Sequence, residues 1–290
     1  MKKALNMLIK EVNANYNIYS VIVRQFVDSV ISDLKGELKI YSEIRREKAR
    51  KRLEGLYTYY SKEITKMLYK LYDRNNTMVN KLLQNALLYF KELYASFART
   101  FNVVLLLSME TNSRVIIHTK NPYMPLEIGL AWHPLFNLPY IPSTSIKGAF
   151  RSYIEEKKTK ICNYSLEDLF GSLNREGLLV FTDALPVSCK TKLIEPEVIT
   201  PHYIESEGLI DELSSKPRPL VFPVIASGVE LEFIVAARVE DKRAMCLIKE
   251  LPAELEKALE YNGIGAKVNL GYGMVSLTIR SRSLLERCKP

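Results

Sequence analysis

A chain of 290 residues, 47% hydrophobic and 26% charged, can bury a full core as one large domain or two ordinary ones, and this composition excludes a disordered protein. No run of about 18 uninterrupted apolar residues occurs, and the start MKKALNMLIK lacks a signal peptide's long apolar core, so a cytoplasmic protein with no membrane partner is expected. The net charge of +8 sits entirely in front: residues 1–110 hold 19 Lys+Arg against 11 Asp+Glu, and the rest of the chain is neutral, which fits a polyanion, an acidic partner protein, or simply a soluble helical surface.

Before Pro122, the first proline, only Gly36 and Gly55 interrupt good helix-forming sequence. Leu53, Leu56, Tyr60, Ile64, Met67 and Leu71 recur at spacings of three and four, as do Val79, Leu82, Ala86, Phe90, Leu93 and Phe97. A further helical run covers about Leu5 to Leu34, and Asp73 to Thr77 reads as a turn with a cap. Residues 1–100 are therefore predicted to be a basic helical segment suited to partner docking. It carries the cluster Arg45–Arg52 with Tyr57, Tyr59 and Tyr60 close by. Tyrosines among cations can stack on bases, but at helical spacing they equally build a core.

After residue 100 the pattern changes to β-branched runs. Strands are expected at 101–107, 114–118, 178–184, 192–200, 220–225, 229–239 and 274–280. The 220–225 and 229–239 runs read as a pair turning through Ser227-Gly228, with one face of the second more polar. Residues 121–142, with five prolines, read as an irregular loop, as do residues 201–219. Helices are expected from the 143–156 region, from Ser165 to Phe170, and from Arg243 to Tyr261 with a break at Pro252. This order suggests an α+β domain around an antiparallel sheet over residues 101–290.

Four cysteines (Cys162, Cys189, Cys246, Cys288) and three histidines are scattered without CxxC or zinc spacing. Reduced thiols and no metal or other cofactor are the expectation.

Three stretches carry chemistry. In Pro142-Ser-Thr-Ser-Ile-Lys-Gly-Ala-Phe-Arg151, hydroxyls and a helix start precede Lys147 and Arg151, which lie one turn apart. Ser143, Ser145, Lys147 and Arg151 could cradle a phosphate, though Ser and Thr at a helix start also serve as plain caps. In Gly263-Ile-Gly-Ala-Lys-Val-Asn-Leu-Gly-Tyr-Gly273, the glycines Gly263, Gly265, Gly271 and Gly273 surround Lys267 beside Tyr272. Exposed N–H groups there could bind phosphate, or close packing could require the glycines. The order helix, loop, strand excludes a dinucleotide fingerprint, and GxxxxGK[ST] is absent. In Thr200-Pro-His-Tyr203, His202 and Tyr203 could stack on or hydrogen-bond a nucleotide, or pack locally.

With Leu169-Phe-Gly171, these stretches occur in an order that resembles the RAMP superfamily of CRISPR-associated RNA-binding proteins, and within it the sixth-subunit family of Cmr (type III-B) effector complexes. The resemblance covers about residues 101–290. It implies a modified ferredoxin-like (RRM-like) β-α-β-β-α-β core and a place at one end of a ribonucleoprotein, where the 3′ end of the guide crRNA is capped. The implied partners are crRNA, target single-stranded RNA and other Cmr subunits (backbone, small helical and terminal RAMP subunits). The implied RNA contacts are Ser143, Ser145, Lys147 and Arg151, with Lys267 and its surrounding glycines as a second set.

The resemblance attributes target cutting to another subunit, and the dispersed carboxylates form no DxD pair or two-metal pattern. Asp168 and Asp183 read as structural. One alternative is a metal-independent guide-processing endoribonuclease, with His118 as general acid/base beside Lys120. The other is a module that only bridges proteins.

Overall fold

The computed structural model describes residues 17–34, 43–117, 124–200, 204–206, 209–211, 219–239 and 241–284. Among the described residues three helices come first, α1 (Ile18–Leu34), α2 (Glu43–Leu71) and α3 (Thr77–Thr100). Asn76 caps α3, its side chain accepting from the Met78 N–H, so the turn expected at 73–77 is present. The cluster Arg45–Arg52 lies in α2, and those side chains are outside the described set.

Next come β1 (Val103–Thr111), β2 (Trp132–His133), β3 (Leu138–Pro139), α4 (Ser143–Lys157), α5 (Leu166–Phe170), β4 (Gly171–Ser172), β5 (Arg175–Glu176), β6 (Leu179–Phe181) and β7 (Leu185–Cys189). The chain continues through β8 (Ile194–Ile199), β9 (Ile204–Ser206), β10 (Leu209–Asp211), β11 (Leu220–Ile225), β12 (Val229–Ala237), α6 (Asp241–Asn262) and, after a 3₁₀ turn at Val268–Leu270, β13 (Val275–Leu284).

The main sheet has the order β13-β1-β12-β6, with β7 continuing alongside β12, and every pairing is antiparallel. With α4 between β1 and β6 and α6 between β12 and β13, this is the ferredoxin-like β-α-β-β-α-β plan, its four strands in the order 4-1-3-2. Helices α4 and α6 pack on each other and on one face of the sheet, and α3 packs on the other through Val79, Leu82, Leu83, Ala86 and Phe90. Every residue of β1 except Glu110 is therefore buried, and β12 is buried apart from Glu230. The more polar face expected on β12 is present: Glu230 and Glu232 share it, and Arg280 on β13 pairs with both, although Glu232 is buried and its carboxyl pushed up by burial.

One contiguous apolar cluster runs from Ile18 on α1 to Leu277 on β13. The fully buried Tyr72 joins the helices to the loop after β1, its hydroxyl donating to the Asn137 carbonyl at 2.7 Å. Asn137, in left-handed conformation (φ 55), also accepts from the Ile18 N–H and from Trp132 Nε1.

Several local expectations need correction. β11 and β12 do not pair with each other. β11 pairs with β8, and the Gly228 N–H donates to the Thr111 carbonyl, so the chain changes sheets at that corner. The run at 114–117 forms only isolated bridges, Val115 to Ile225 and Ile116 to Ala266, because each faces a different partner. The strand expected over 178–184 ends at Phe181, and β7 follows. Within the expected loop 201–219, β9 and β10 form a small antiparallel pair. Pro252 interrupts nothing: α6 runs through it, since Leu247, Leu251, Leu255 and Ala258 anchor both halves in the core.

The reduced-thiol expectation also fails for one pair. Cys162, in the turn after α4, is disulfide-bonded to Cys246 on α6, with Cα atoms 5.8 Å apart across 84 residues of sequence. Packing α4 against α6 brings the two together, which no sequence spacing shows. Cys189 is a buried free thiol, its pKa raised by that burial.

Candidate RNA interface

Ile146, Phe150, Tyr153 and Ile154 turn the apolar side of α4 into the core, leaving Lys147 half-buried and Arg151 exposed on its flank. Among the described residues no carboxylate pairs with Lys147, Arg151 or Lys267.

The start of α4 differs from the expected cradle. Pro142 is its N-cap and supplies no capping side chain, and Ser143, Thr144 and Ser145 sit inside the first turn. The Ser143 N–H instead donates to Asp183 Oδ1 at 2.6 Å. A carboxylate thus already occupies the positive end of this helix, and attraction for a phosphate falls to Lys147 and Arg151. Asp183 thus caps α4 through one carboxylate oxygen, and a structural role falls to Asp168. The latter forms a capping box with Ser165 and pairs with Arg175, and those hydrogen bonds hold its carboxyl below the usual carboxylate range.

Two grooves flank α4. One, of about 660 Å³, runs between Ser143 and Lys147 and the β4–β5 hairpin, where Leu173 is fully exposed at the tip. The other, of about 620 Å³, brings Ser145, Gly148 and Ser152 against Gly263 and Gly265, and Thr144 lines both. The helix motif and the glycine loop, over a hundred residues apart in sequence, thus share one groove. Asn262 Nδ2 ties them by donating to the Ala149 carbonyl at 2.8 Å.

Within the loop the glycines do different work. Gly265 (φ 94) and Gly273 (φ 71) are held against backbone: a Cβ would stand 2.3 Å from the Ile116 carbonyl oxygen and 2.1 Å from that of Ile264, respectively. A Cβ on Gly263 would crowd Val268. Gly271 (φ 87) faces open space, and Lys267 (φ 60) is exposed at the head of the 3₁₀ turn. The close-packing explanation therefore accounts for three glycines, while Lys267 and Gly271 lie with Asn269 and Leu270 on the loop's exposed turn.

Tyr272 is half-buried against Ile116, Phe222 and Val224. Burial, then a hydrogen bond to Glu197, raises its pKa. Glu197 and Glu195 both accept from Arg114, at 3.1 and 2.7 Å, and this network braces the loop from below. His202, Tyr203, His118 and Lys120 lie outside the described residues.

One cluster was not singled out in the sequence. His133, Phe136 and Tyr140 stand side by side, with ring centroids 5.0 Å apart for His133–Phe136 and 5.5 Å for His133–Tyr140. Tyr89 of α3 joins them 4.9 Å from Phe136. Asp183 lies close enough to raise the pKa of Tyr89 and Tyr140, although burial is the larger cause for both. Burial lowers that of His133, and Asp183 opposes the shift. The available signal was the density of rings in a loop: Trp132, His133, Phe136 and Tyr140 within nine residues.

Comparison with known proteins agrees with this architecture. The model of the RAMP superfamily matches residues 117–276. The chain is 30% identical over 229 residues to the CRISPR system CMR subunit Cmr6 of Saccharolobus solfataricus, covering 79% of this chain and 74% of that one. It is 29% identical over 140 residues to the Cmr6 subunit of Pyrococcus furiosus, covering 44% and 38%. A chain of the type III-B Cmr-β complex bound to cognate target RNA has the same fold, with a TM-score of 0.68 at 24% identity over 98% of this chain and 99% of that one. The superfamily match over more than half of the chain, with the long alignment to a Cmr6 subunit, shows that the chain belongs to the RAMP superfamily and, within it, to the Cmr6 family of CRISPR Cmr subunits.

Proposed function

We propose that this Cmr subunit is a non-catalytic, guide-holding component of a type III-B ribonucleoprotein, binding the 3′ end region of the crRNA along α4. The observation that carries the reading is the pair of cations, Lys147 and Arg151, on one flank of α4 without carboxylate partners among the described residues, with Lys147 lining the first groove and Ser145 and Gly148 of the same helix lining the second. Ser143 and Ser145 supply hydroxyls on the same turn, and Lys267 with Gly271 offers a second contact on the exposed turn of the glycine loop, beyond the residues that line the second groove. Gly263 and Gly265 line the second groove, and Gly273 and Tyr272 hold the loop from behind. His202 and Tyr203 remain candidate contacts. The basic helical segment, residues 1–100, serves to dock a neighbouring subunit, and target RNA meets the assembled complex. The contacts are to phosphate and sugar, as a subunit that must accept every guide requires.

Salt titration tests this directly. Lys147→Ala, Arg151→Ala and Lys267→Ala should each flatten the slope of log K against log[salt] for single-stranded RNA by about 0.7. Unchanged slopes would remove those residues from the interface. The same RNA should stay intact without divalent metal; cleavage abolished by His118→Ala would overturn the non-catalytic reading.

A further inference from the structure

The cluster of His133, Phe136, Tyr140 and Tyr89 beside Asp183 is not accounted for by phosphate binding along α4. Its rings are partly exposed at the surface, Tyr89 at 40%, and Leu135 at the tip of the same turn is 87% exposed. Among the described residues no hydrogen bond engages the Tyr89 or Tyr140 hydroxyl. His133 Nδ1 accepts from the Phe136 N–H at 3.3 Å, which fixes the neutral imidazole with its proton on Nε2. The surface is therefore aromatic and uncharged except for one carboxylate.

We propose that this surface seats the terminal nucleoside of a bound RNA strand, its base lying on the rings and its free 2′- and 3′-hydroxyls donating to Asp183. The inference rests on the reading of α4 as an RNA-binding face and names the part of the strand found at the head of that helix. Stacking on aromatic rings tolerates any base, which suits a strand end of variable sequence. A carboxylate accepts hydrogen bonds and donates none, so it welcomes a cis-diol and repels a terminal phosphate. Asp183 is joined to Ser143, and Lys147 stands one helical turn, about 6 Å, further along α4. That is the reach from a terminal ribose to the phosphate linking it to the preceding nucleotide.

The test uses the 290-residue chain and three RNAs of one sequence, ending in a cis-diol, in a 3′-phosphate, or in an abasic residue with its diol intact. The 3′-phosphate should weaken binding about tenfold, and Asp183→Asn, which retains an acceptor oxygen for the Ser143 N–H, should abolish that difference. Tyr140→Ala should weaken the cis-diol RNA by roughly five- to hundredfold and leave the abasic RNA unchanged. Lys147→Ala should weaken all three RNAs by the same factor. If Lys147→Ala weakens all three but the ends bind alike and Tyr140→Ala has no effect, the nucleoside seat is refuted while the RNA-binding reading stands; the rings would then be covered by protein. If Lys147→Ala changes nothing, the underlying reading fails.

Discussion

Replacing Gly273 with alanine would place a Cβ 2.1 Å from the Ile264 carbonyl oxygen, whereas Cβ atoms essentially never approach within 3.0 Å, so the loop would have to open by about 0.9 Å. That opening strains two backbone hydrogen bonds, Ile264 N–H to the Gly273 carbonyl at 2.9 Å and Gly273 N–H to the Arg114 carbonyl at 2.8 Å. At about 1 kcal/mol each, plus about 1 kcal/mol for a side chain at positive φ, the loss is about 3 kcal/mol. Gly271→Ala shares the positive φ but meets nothing within 4 Å, so its loss is about 1 kcal/mol. With an unfolding entropy of about 2.1 cal/mol/K per residue, a chain of 290 residues converts these into Tm decreases of about 5 °C and just under 2 °C. RNA affinity should rank the two in reverse among folded protein, because only Gly271 faces the space a strand would occupy. Differential scanning calorimetry and a filter-binding titration on both variants measure the two orders. Equal Tm changes, or a larger one for Gly271→Ala, would refute the division between packing and outward glycines.

Three further outcomes follow from the packing. Reducing the Cys162–Cys246 bond, or replacing either cysteine with serine, releases a closed loop spanning 84 residues and should lower stability by up to about 4.5 kcal/mol on the chain-entropy account; thiol titration before and after reduction, paired with thermal melts, checks it. Tyr72→Phe removes the buried hydrogen bond to the Asn137 carbonyl and should lower stability by about 0.5–1.5 kcal/mol in chemical denaturation, with one cooperative transition if helices and sheet unfold together. His133 is held by burial below its ordinary pKa, so the unfolded chain binds its proton first as pH falls. Its contribution should be complete above about pH 6.5 and decline as pH drops from there toward the folded pKa; melts of His133→Asn between pH 8 and 5 should show a shallower decline, and an identical pH profile would contradict this.

How far the sequence could be read depended on whether the determining contacts were local. The stripes Leu53–Leu71 and Val79–Phe97 announce α2 and α3 because helical burial repeats within a few residues. The capping box at Ser165–Asp168 is just as local. β11 and β12 also show themselves as strands, but their partners are chosen by the corner at Gly228 and Thr111, more than a hundred residues apart. The Ser143–Asp183 bond and the Cys162–Cys246 bridge were hidden for the same reason, since each exists only once α4 is laid on the sheet. In the glycine loop the spacing shows that glycine is required, yet only the positions of the Ile116 and Ile264 carbonyls separate the packing glycines from Gly271. Glu232 shows the limit of alternation: it identifies the more polar face of β12, while only the packing of α3 on the sheet shows that this carboxylate is buried.

That placement of α3 has a consequence for how any nucleic acid could be read. Four-stranded sheets of RRM type present aromatic side chains on an open face, where two or three bases lie flat. Here β1 and β12 have no open face to offer, because α4 and α6 cover one side and α3 roofs the other. Any ligand chemistry would fall not at the middle of the sheet but at its perimeter, where loops and helix flanks surround an inert slab. A strand held there would run along an edge and turn its bases toward solvent or a partner strand, contacting this subunit through its backbone and at its end.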